Sequence, residues 1–126
     1  MASRILTLRC DVAISDLLCR AIREYAHAAY PEGGSDCAQV VRYTLLEAAS
    51  AIDTAITTDH GEAVISRRLR TTLKAAIDYH FERQDAASGT GSVHQRAVFT
   101  GLLAGEPLSR AALDAAMAAD GGSSDS

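Results

Sequence analysis

The sequence predicts a mainly α-helical fold with one short β-strand near the N-terminus. Of its 126 residues, 48% are hydrophobic, but only 5% are aromatic and two are proline. Much of the apolar content is alanine, which favours close packing of helices over a sandwich or a barrel. Apolar residues also recur at three- and four-residue spacing along most of the chain, which is the helical period.

The predicted strand covers residues 4–10, where the hydrophobic pattern alternates in period two. One face carries Leu6, Leu8 and Cys10, and the other carries Ile5, Thr7 and Arg9. A strand needs a partner for its backbone groups, and the sequence offers no second evident strand. We therefore expect two chains to pair this strand and form an intertwined dimer.

Two helices are predicted after the strand. Asp11 is placed to cap the first of them. The segment 30–34, which is rich in turn residues, ends it. Asp36 then begins the second helix, with Gln39 three residues later at the spacing of a capping box. Together these elements form a first unit, residues 1–58.

The remaining sequence predicts a helical extension, residues 59–119, and a disordered tail, residues 120–126. Apolar positions from Glu62 to about Ala86 keep the helical period and predict one helix. Ser92, with Gln95 three residues later, predicts the cap of a short helix. An alanine-rich helix follows.

A weak internal repeat leaves a third organisation open. A set of residues recurs after 57 positions: Gly34, Ser35, Val41, Leu45 and Leu46 match Gly91, Ser92, Val98, Leu102 and Leu103. The chain would then be a fused pair of related halves, and residues 63–66 would supply a second strand. The helical period of that segment argues against it.

Two segments carry a resemblance to a known family. Leu6-Thr7-Leu8-Arg9-Cys10-Asp11 and Ser35-Asp36-Cys37-Ala38-Gln39-Val40-Val41-Arg42-Tyr43-Thr44-Leu45-Leu46 resemble the strand and the second helix of the ribbon-helix-helix (Arc/MetJ-like) DNA-binding family. The resemblance covers about the first 50 residues. It implies a homodimer that places a two-stranded ribbon in the major groove.

The resemblance also implies roles for individual residues. The outward strand residues would read bases: Ile5, Thr7 and Arg9. Backbone amides at the start of the second helix would clamp a phosphate: Ser35, Asp36, Cys37 and Ala38. The dimer core would hold Leu6, Leu8, Ile14, Leu17, Leu18, Val41 and Leu45. Further phosphate contacts, or a solvated helix face instead, are expected at Arg4, Arg67, Arg68, Arg70 and Lys74.

The function expected from these features is sequence-specific DNA binding by a homodimer, as a repressor or a regulator of the mobile-element or antitoxin type. Residues 59–119 would mediate oligomerisation or hold a protein partner. The alternative is a helical adaptor that uses the same dimer to bind protein. The net charge of −4, Ile5 on the ribbon and Asp36 at the clamp favour this alternative.

Other functional classes find no support in the residue pattern. We expect no enzyme, no cofactor and no metal site, because the four histidines are scattered and no glycine-rich loop follows a strand. The three cysteines form no metal or disulfide pattern, which favours free thiols in the cytoplasm. No membrane association is expected, since the chain shows neither a long apolar run nor a signal-peptide pattern.

Overall fold

The computed structural model describes residues 4–58 and 60–121 and confirms a mainly α-helical fold. The elements within those ranges are β1 (Ile5–Arg9), α1 (Val12–Ala29), α2 (Asp36–Thr58), β2 (Glu62–Ser66), a 3-10 turn (Arg67–Leu69), α3 (Arg70–Ser88), α4 (Val93–Leu103) and α5 (Arg110–Gly121). None of the helices in the described ranges combines the length and the apolar character that a bilayer span requires.

The two strands pair antiparallel within the same chain. Leu6 lies opposite Ile65 and Leu8 lies opposite Ala63, and all four side chains are buried. The prediction of one helix from Glu62 is therefore wrong for its first five residues, which form β2. The expected partner strand from a second chain is replaced by β2, so an unpaired β1 no longer gives a reason for a dimer.

The order strand, helix, helix occurs twice along the chain. β1, α1 and α2 begin at residues 5, 12 and 36, and β2, α3 and α4 begin at residues 62, 70 and 93. Each element of the second half begins 57 or 58 residues after the corresponding element of the first half, which matches the spacing of the sequence repeat. Thr7 pairs with Val64, its equivalent 57 residues later, so the local twofold axis of the ladder relates equivalent positions. The organisation in which residues 63–66 supply the second strand is the observed one.

A single hydrophobic core joins the two halves. α1 packs against both α2 and α3, and the inward faces of β1 and β2 close the core from one side. Five residues of the predicted dimer core are buried in it: Leu6, Leu8, Ile14, Leu18 and Leu45. The other two, Leu17 and Val41, are partly buried and pack against it. The described parts of the two predicted units, residues 4–58 and 60–119, therefore share one sheet and one core.

The two halves differ most after their second helix. α2 has 23 residues and leads into β2, whereas α4 has 11 and is followed by a turn at Gly105 and by α5, which packs on α4. Asp11 links α5 to the first half: its carboxylate accepts the N–H of Ile14, capping α1 as predicted, and the N–H of Arg110 at 2.7 Å. α5 includes Asp120 and Gly121, so the predicted disordered tail is wrong for these two residues, and the disorder predicted for residues 122–126 lies outside the described residues.

Candidate nucleic-acid interface

The outward face of the ribbon is formed by alternate residues of both strands. β1 contributes the predicted base-reading residues Ile5, Thr7 and Arg9, and these lie together as expected from the period-two pattern. β2 contributes Glu62, Val64 and Ser66, in a segment whose apolar spacing predicts a helix. The face is therefore a mixture of apolar, hydroxyl and charged side chains.

The charged pair on this face lies at one end of the ribbon. Arg9 Nε is 3.3 Å from Glu62 Oε2, and Arg9 Nη1 donates a hydrogen bond to Gly105 O at 3.1 Å. Because this ion pair is exposed, it adds little stability. It does reduce the positive charge that Arg9 offers to a ligand, since Glu62 is its cross-strand neighbour.

The other end of the ribbon carries four arginines, Arg4, Arg67, Arg68 and Arg70, here called the basic end. The chain holds them close together, because the Arg67 N–H donates to Arg4 O at 2.9 Å and the Ser66 hydroxyl accepts the Arg68 N–H at 3.3 Å. All four are exposed, and none takes part in an ion pair within the described ranges.

Positive charge is concentrated on the ribbon and its basic end. Residues 4–10 and 62–70 contain five arginines and one glutamate, a net charge of +4, in a chain whose net charge is −4. The rest of the protein is therefore strongly acidic. Lys74, the remaining predicted phosphate contact, lies one turn further along α3 and is bound to Asp78 at 3.0 Å.

The predicted phosphate clamp lies at the start of α2. Ser35, rather than Asp36, caps this helix, because its hydroxyl accepts the Ala38 N–H at 3.2 Å. Gln39 does not complete a capping box; its side-chain amide donates to Pro31 O at 2.8 Å. Ser35, Asp36 and Cys37 are exposed and Ala38 is partly exposed, so the amides of this turn are near the surface.

The equivalent helix start in the second half is occupied by a carboxylate. Asp120 of α5 accepts hydrogen bonds from the backbone N–H of His94 at 2.8 Å and of Gln95 at 3.0 Å, and also from both of their side chains. Burial raises the pKa of Asp120, but these hydrogen bonds outweigh it and lower the pKa from 3.8 to about 2. Ser92 stands at the N-cap position of α4 as predicted, but its hydroxyl does not cap the helix and donates to Asp85 instead.

Sequence reasoning missed Asp120 because its role depends on tertiary packing. The residue stands 28 positions after Ser92, next to a glycine- and serine-rich end. Only the antiparallel return of α5 along α4 brings its carboxylate to the start of α4. Its local sequence contains no signal for this contact.

The remaining chemistry-bearing side chains are dispersed. No group of three metal-ligating side chains occurs in the part of the chain that the structure describes. His80 lies beside Glu24, and His27 beside Arg42, at separate places on the surface. Cys10 and Cys19 are buried and Cys37 is exposed, and burial raises the pKa of the Cys10 thiol to about 12.

Comparison with protein-family models, with curated proteins and with solved structures found no match for this chain. Its function is therefore inferred from its own residues.

Proposed function

We propose that this protein binds duplex DNA through its ribbon and regulates transcription, as a repressor or a regulator of the mobile-element or antitoxin type. The fold would be a ribbon-helix-helix unit in which one chain provides both strands. The observation that carries the proposal is the net charge of +4 on residues 4–10 and 62–70 of an acidic protein. Phosphate attraction dominates the affinity of proteins for duplex DNA.

The dimensions and the side chains of the ribbon suit the major groove. A two-stranded β-ribbon is narrow enough to enter it. Thr7 and Ser66 offer hydroxyl groups to base edges, whereas Ile5 and Val64 offer methyl groups that pack against thymine methyls. The four arginines of the basic end would contact phosphates beside the groove, and the exposed amides at the start of α2 would add to them.

The acidic remainder of the chain supports one orientation of binding. Outside the two ribbon segments the charge is −8, so phosphates repel the rest of the protein taken as a whole. A protein with this distribution would approach DNA with its ribbon first. Low overall charge also weakens sequence-independent binding, which helps a regulator to discriminate among sites.

A second candidate function is binding of a protein partner on the same face. It is favoured by Ile5 and Val64, which are 52% and 60% exposed and lie diagonally opposite each other in the ladder. Neutralisation of Arg9 by Glu62 favours it as well. An exposed apolar centre flanked by charged residues is typical of protein interfaces.

Binding of labelled duplex DNA at several salt concentrations tests the proposal. The affinity of the protein for a 24-base-pair random-sequence duplex is measured by fluorescence anisotropy between about 50 and 200 mM salt. We expect affinity to fall with salt, and the variant Arg67→Ala/Arg68→Ala to reduce the log–log slope by about 2.

A control with the same loss of charge is available on α1. Arg20 and Arg23 are exposed like Arg67 and Arg68, but they lie beside Asp16 and Asp53. The variant Arg20→Ala/Arg23→Ala should leave the slope unchanged. Absence of binding at the lowest salt, or equal effects of the two double variants, would refute the DNA-binding proposal and leave the protein-binding candidate.

A further inference from the structure

The two ends of the ribbon are not equivalent, although the two halves of the chain share the order strand, helix, helix. Positions 57 residues apart are equivalent in the two halves. The equivalents of Arg67, Arg68 and Arg70 in the first half are Cys10, Asp11 and Ala13. The equivalent of Arg4 in the second half is Gly61. None of these equivalents is basic and one is acidic. The basic end thus has no counterpart across the twofold axis that passes between Thr7 and Val64.

The end opposite the basic end, here called the capped end, is covered by the chain itself. Leu108 forms a bridge with Cys10, and its N–H donates to Arg9 O at 2.8 Å. Gly105 O accepts from the Arg9 guanidinium, and the Asp11 carboxylate accepts the Arg110 N–H. The connection from α4 to α5 therefore occupies the place where a second set of phosphate contacts would lie in a symmetric protein.

The helix starts differ in the same way. At the start of α2, Ser35, Asp36 and Cys37 are exposed residues, and the Ser35 hydroxyl caps the helix by accepting the Ala38 N–H. At the start of α4 the Asp120 carboxylate fills the position that an anion would take and adds a negative charge there. Asp120 is ionised at neutral pH, since its pKa is about 2. A carboxylate thus occupies the anion position at the start of α4, whereas at the start of α2 Asp36 adds a negative charge but makes no hydrogen bond to the capping amides among the described residues.

From this asymmetry we propose that one chain contacts the phosphates of duplex DNA at the basic end only and so binds a single site without twofold symmetry. This inference rests on the proposed function. A symmetric dimer reads two equal half-sites, because its two ends present the same residues. Here one end presents four arginines that form no ion pair with any residue the structure describes, and the other presents Arg9 paired with Glu62, next to Asp11.

Single arginine substitutions at the two ends give a matched comparison. Arg68 and Arg110 are both exposed, and Arg110 lies at the capped end, where its side chain binds Asp114. One lost phosphate contact lowers affinity by about 15-fold at 50 mM salt when the salt dependence is referred to 1 M. We expect Arg68→Ala to show this loss and Arg110→Ala to change affinity less than 2-fold.

The symmetry of the bound site is read directly from selected DNA. Duplexes retained by the full chain at 50 mM salt are recovered from a random-sequence library, and phosphates needed for binding are mapped by ethylation interference. We expect a motif without a dyad, interfering phosphates on one side of it, and one chain per duplex by native mass spectrometry. Circular dichroism checks that both variants are folded.

The outcomes separate this inference from the proposed function. A palindromic motif, interfering phosphates on both sides, or an equal loss in Arg68→Ala and Arg110→Ala overturns the inference while DNA binding stands. If no duplex is retained at 50 mM salt, the proposed function is refuted and the inference with it.

Discussion

Removal of the Asp120 carboxylate is the perturbation whose effect follows most directly from the structure. Asp120→Ala deletes the acceptor of two backbone and two side-chain hydrogen bonds at the start of α4. It also removes hydrogen bonds that join α5 to α4, whereas the buried α5 side chains Leu113 and Ala116 are left in place. Nothing in this change touches β1 or the basic end, so the variant should keep its DNA-binding residues.

The decrease in the free energy of unfolding caused by Asp120→Ala can be obtained in two ways. Replacing an N-cap residue by alanine typically costs about 0.5–2 kcal/mol, and hydrogen bonds to a charged group contribute about 1.5–3 kcal/mol. The pKa decrease from 3.8 to about 2 corresponds to about 2 kcal/mol of preference for the ionised form in the folded state. The Asp120 side chain is only 4% exposed, so solvent screens this interaction weakly. We expect Asp120→Ala to lower the free energy of unfolding by about 2 kcal/mol at pH 7.

The pH dependence gives an independent check on the same interaction. Because the folded pKa of Asp120 is depressed, its contribution is complete above the unfolded pKa and is lost as the pH falls towards the folded pKa. Urea unfolding should therefore show a difference between Asp120→Asn and the natural protein that is constant above about pH 5 and shrinks towards pH 2.

Asp114 on the same helix provides the control. Among the described residues its carboxylate binds only the exposed Arg110 side chain four residues earlier, so Asp114→Ala should lower the free energy of unfolding by less than about 0.5 kcal/mol. If Asp114→Ala and Asp120→Ala lowered the free energy of unfolding equally, the capping of α4 by Asp120 would be refuted. A difference between Asp120→Asn and the natural protein that stays constant from pH 5 to pH 2.5 would refute the electrostatic reasoning.

Three further predictions concern the β1–β2 unit and the thiols. Gly61→Ala should lower the free energy of unfolding by about 1–3 kcal/mol, because Gly61 has φ +90° and an added Cβ would lie 2.9 Å from Cys10 O. As a control, Gly91→Ala should change the free energy of unfolding by less than about 0.5 kcal/mol, since a Cβ added there meets nothing within 4 Å. Similar effects of the two substitutions would contradict the turn geometry at Gly61. Light scattering at micromolar concentration should give a mass of 13.3 kDa, since β1 finds its partner in the same chain, and a mass twice as large would show a second interface. A thiol reagent at pH 8 should label one cysteine rapidly in the folded protein, because Cys10 and Cys19 are buried and only Cys37 is exposed; rapid labelling that persists in Cys37→Ser would show that the core opens.

The helices were largely predictable from local physical chemistry. Apolar stripes at helical spacing and the cap at Asp11 depend only on neighbouring residues, and α1 begins at Val12 as a result. The inward face of β1 was predictable for the same reason, since alternation assigns Leu6 and Leu8 to one side. Even the 57-residue spacing was visible in the sequence, although too few positions matched to establish it.

The sequence offers the partner of β1 only as an alternative to a helix, because this segment satisfies two periods at once. Ala63 and Ile65 alternate with exposed residues as in a strand, but Ile65, Leu69 and Leu73 also follow a four-residue helical spacing. The hydrogen bonds between this segment and β1 decide in favour of the strand, and they join residues almost sixty positions apart.

The character of the candidate interface was likewise decided by tertiary structure. The sequence alone determined which residues carry charge and which strand face they share, because both follow from residue type and the pleat of a strand. Folding determined that Glu62 neutralises Arg9, that four arginines gather at one end of the ribbon, and that Asp120 fills the start of α4. Each of these depends on residues distant in sequence meeting in space, and no local propensity encodes such a meeting.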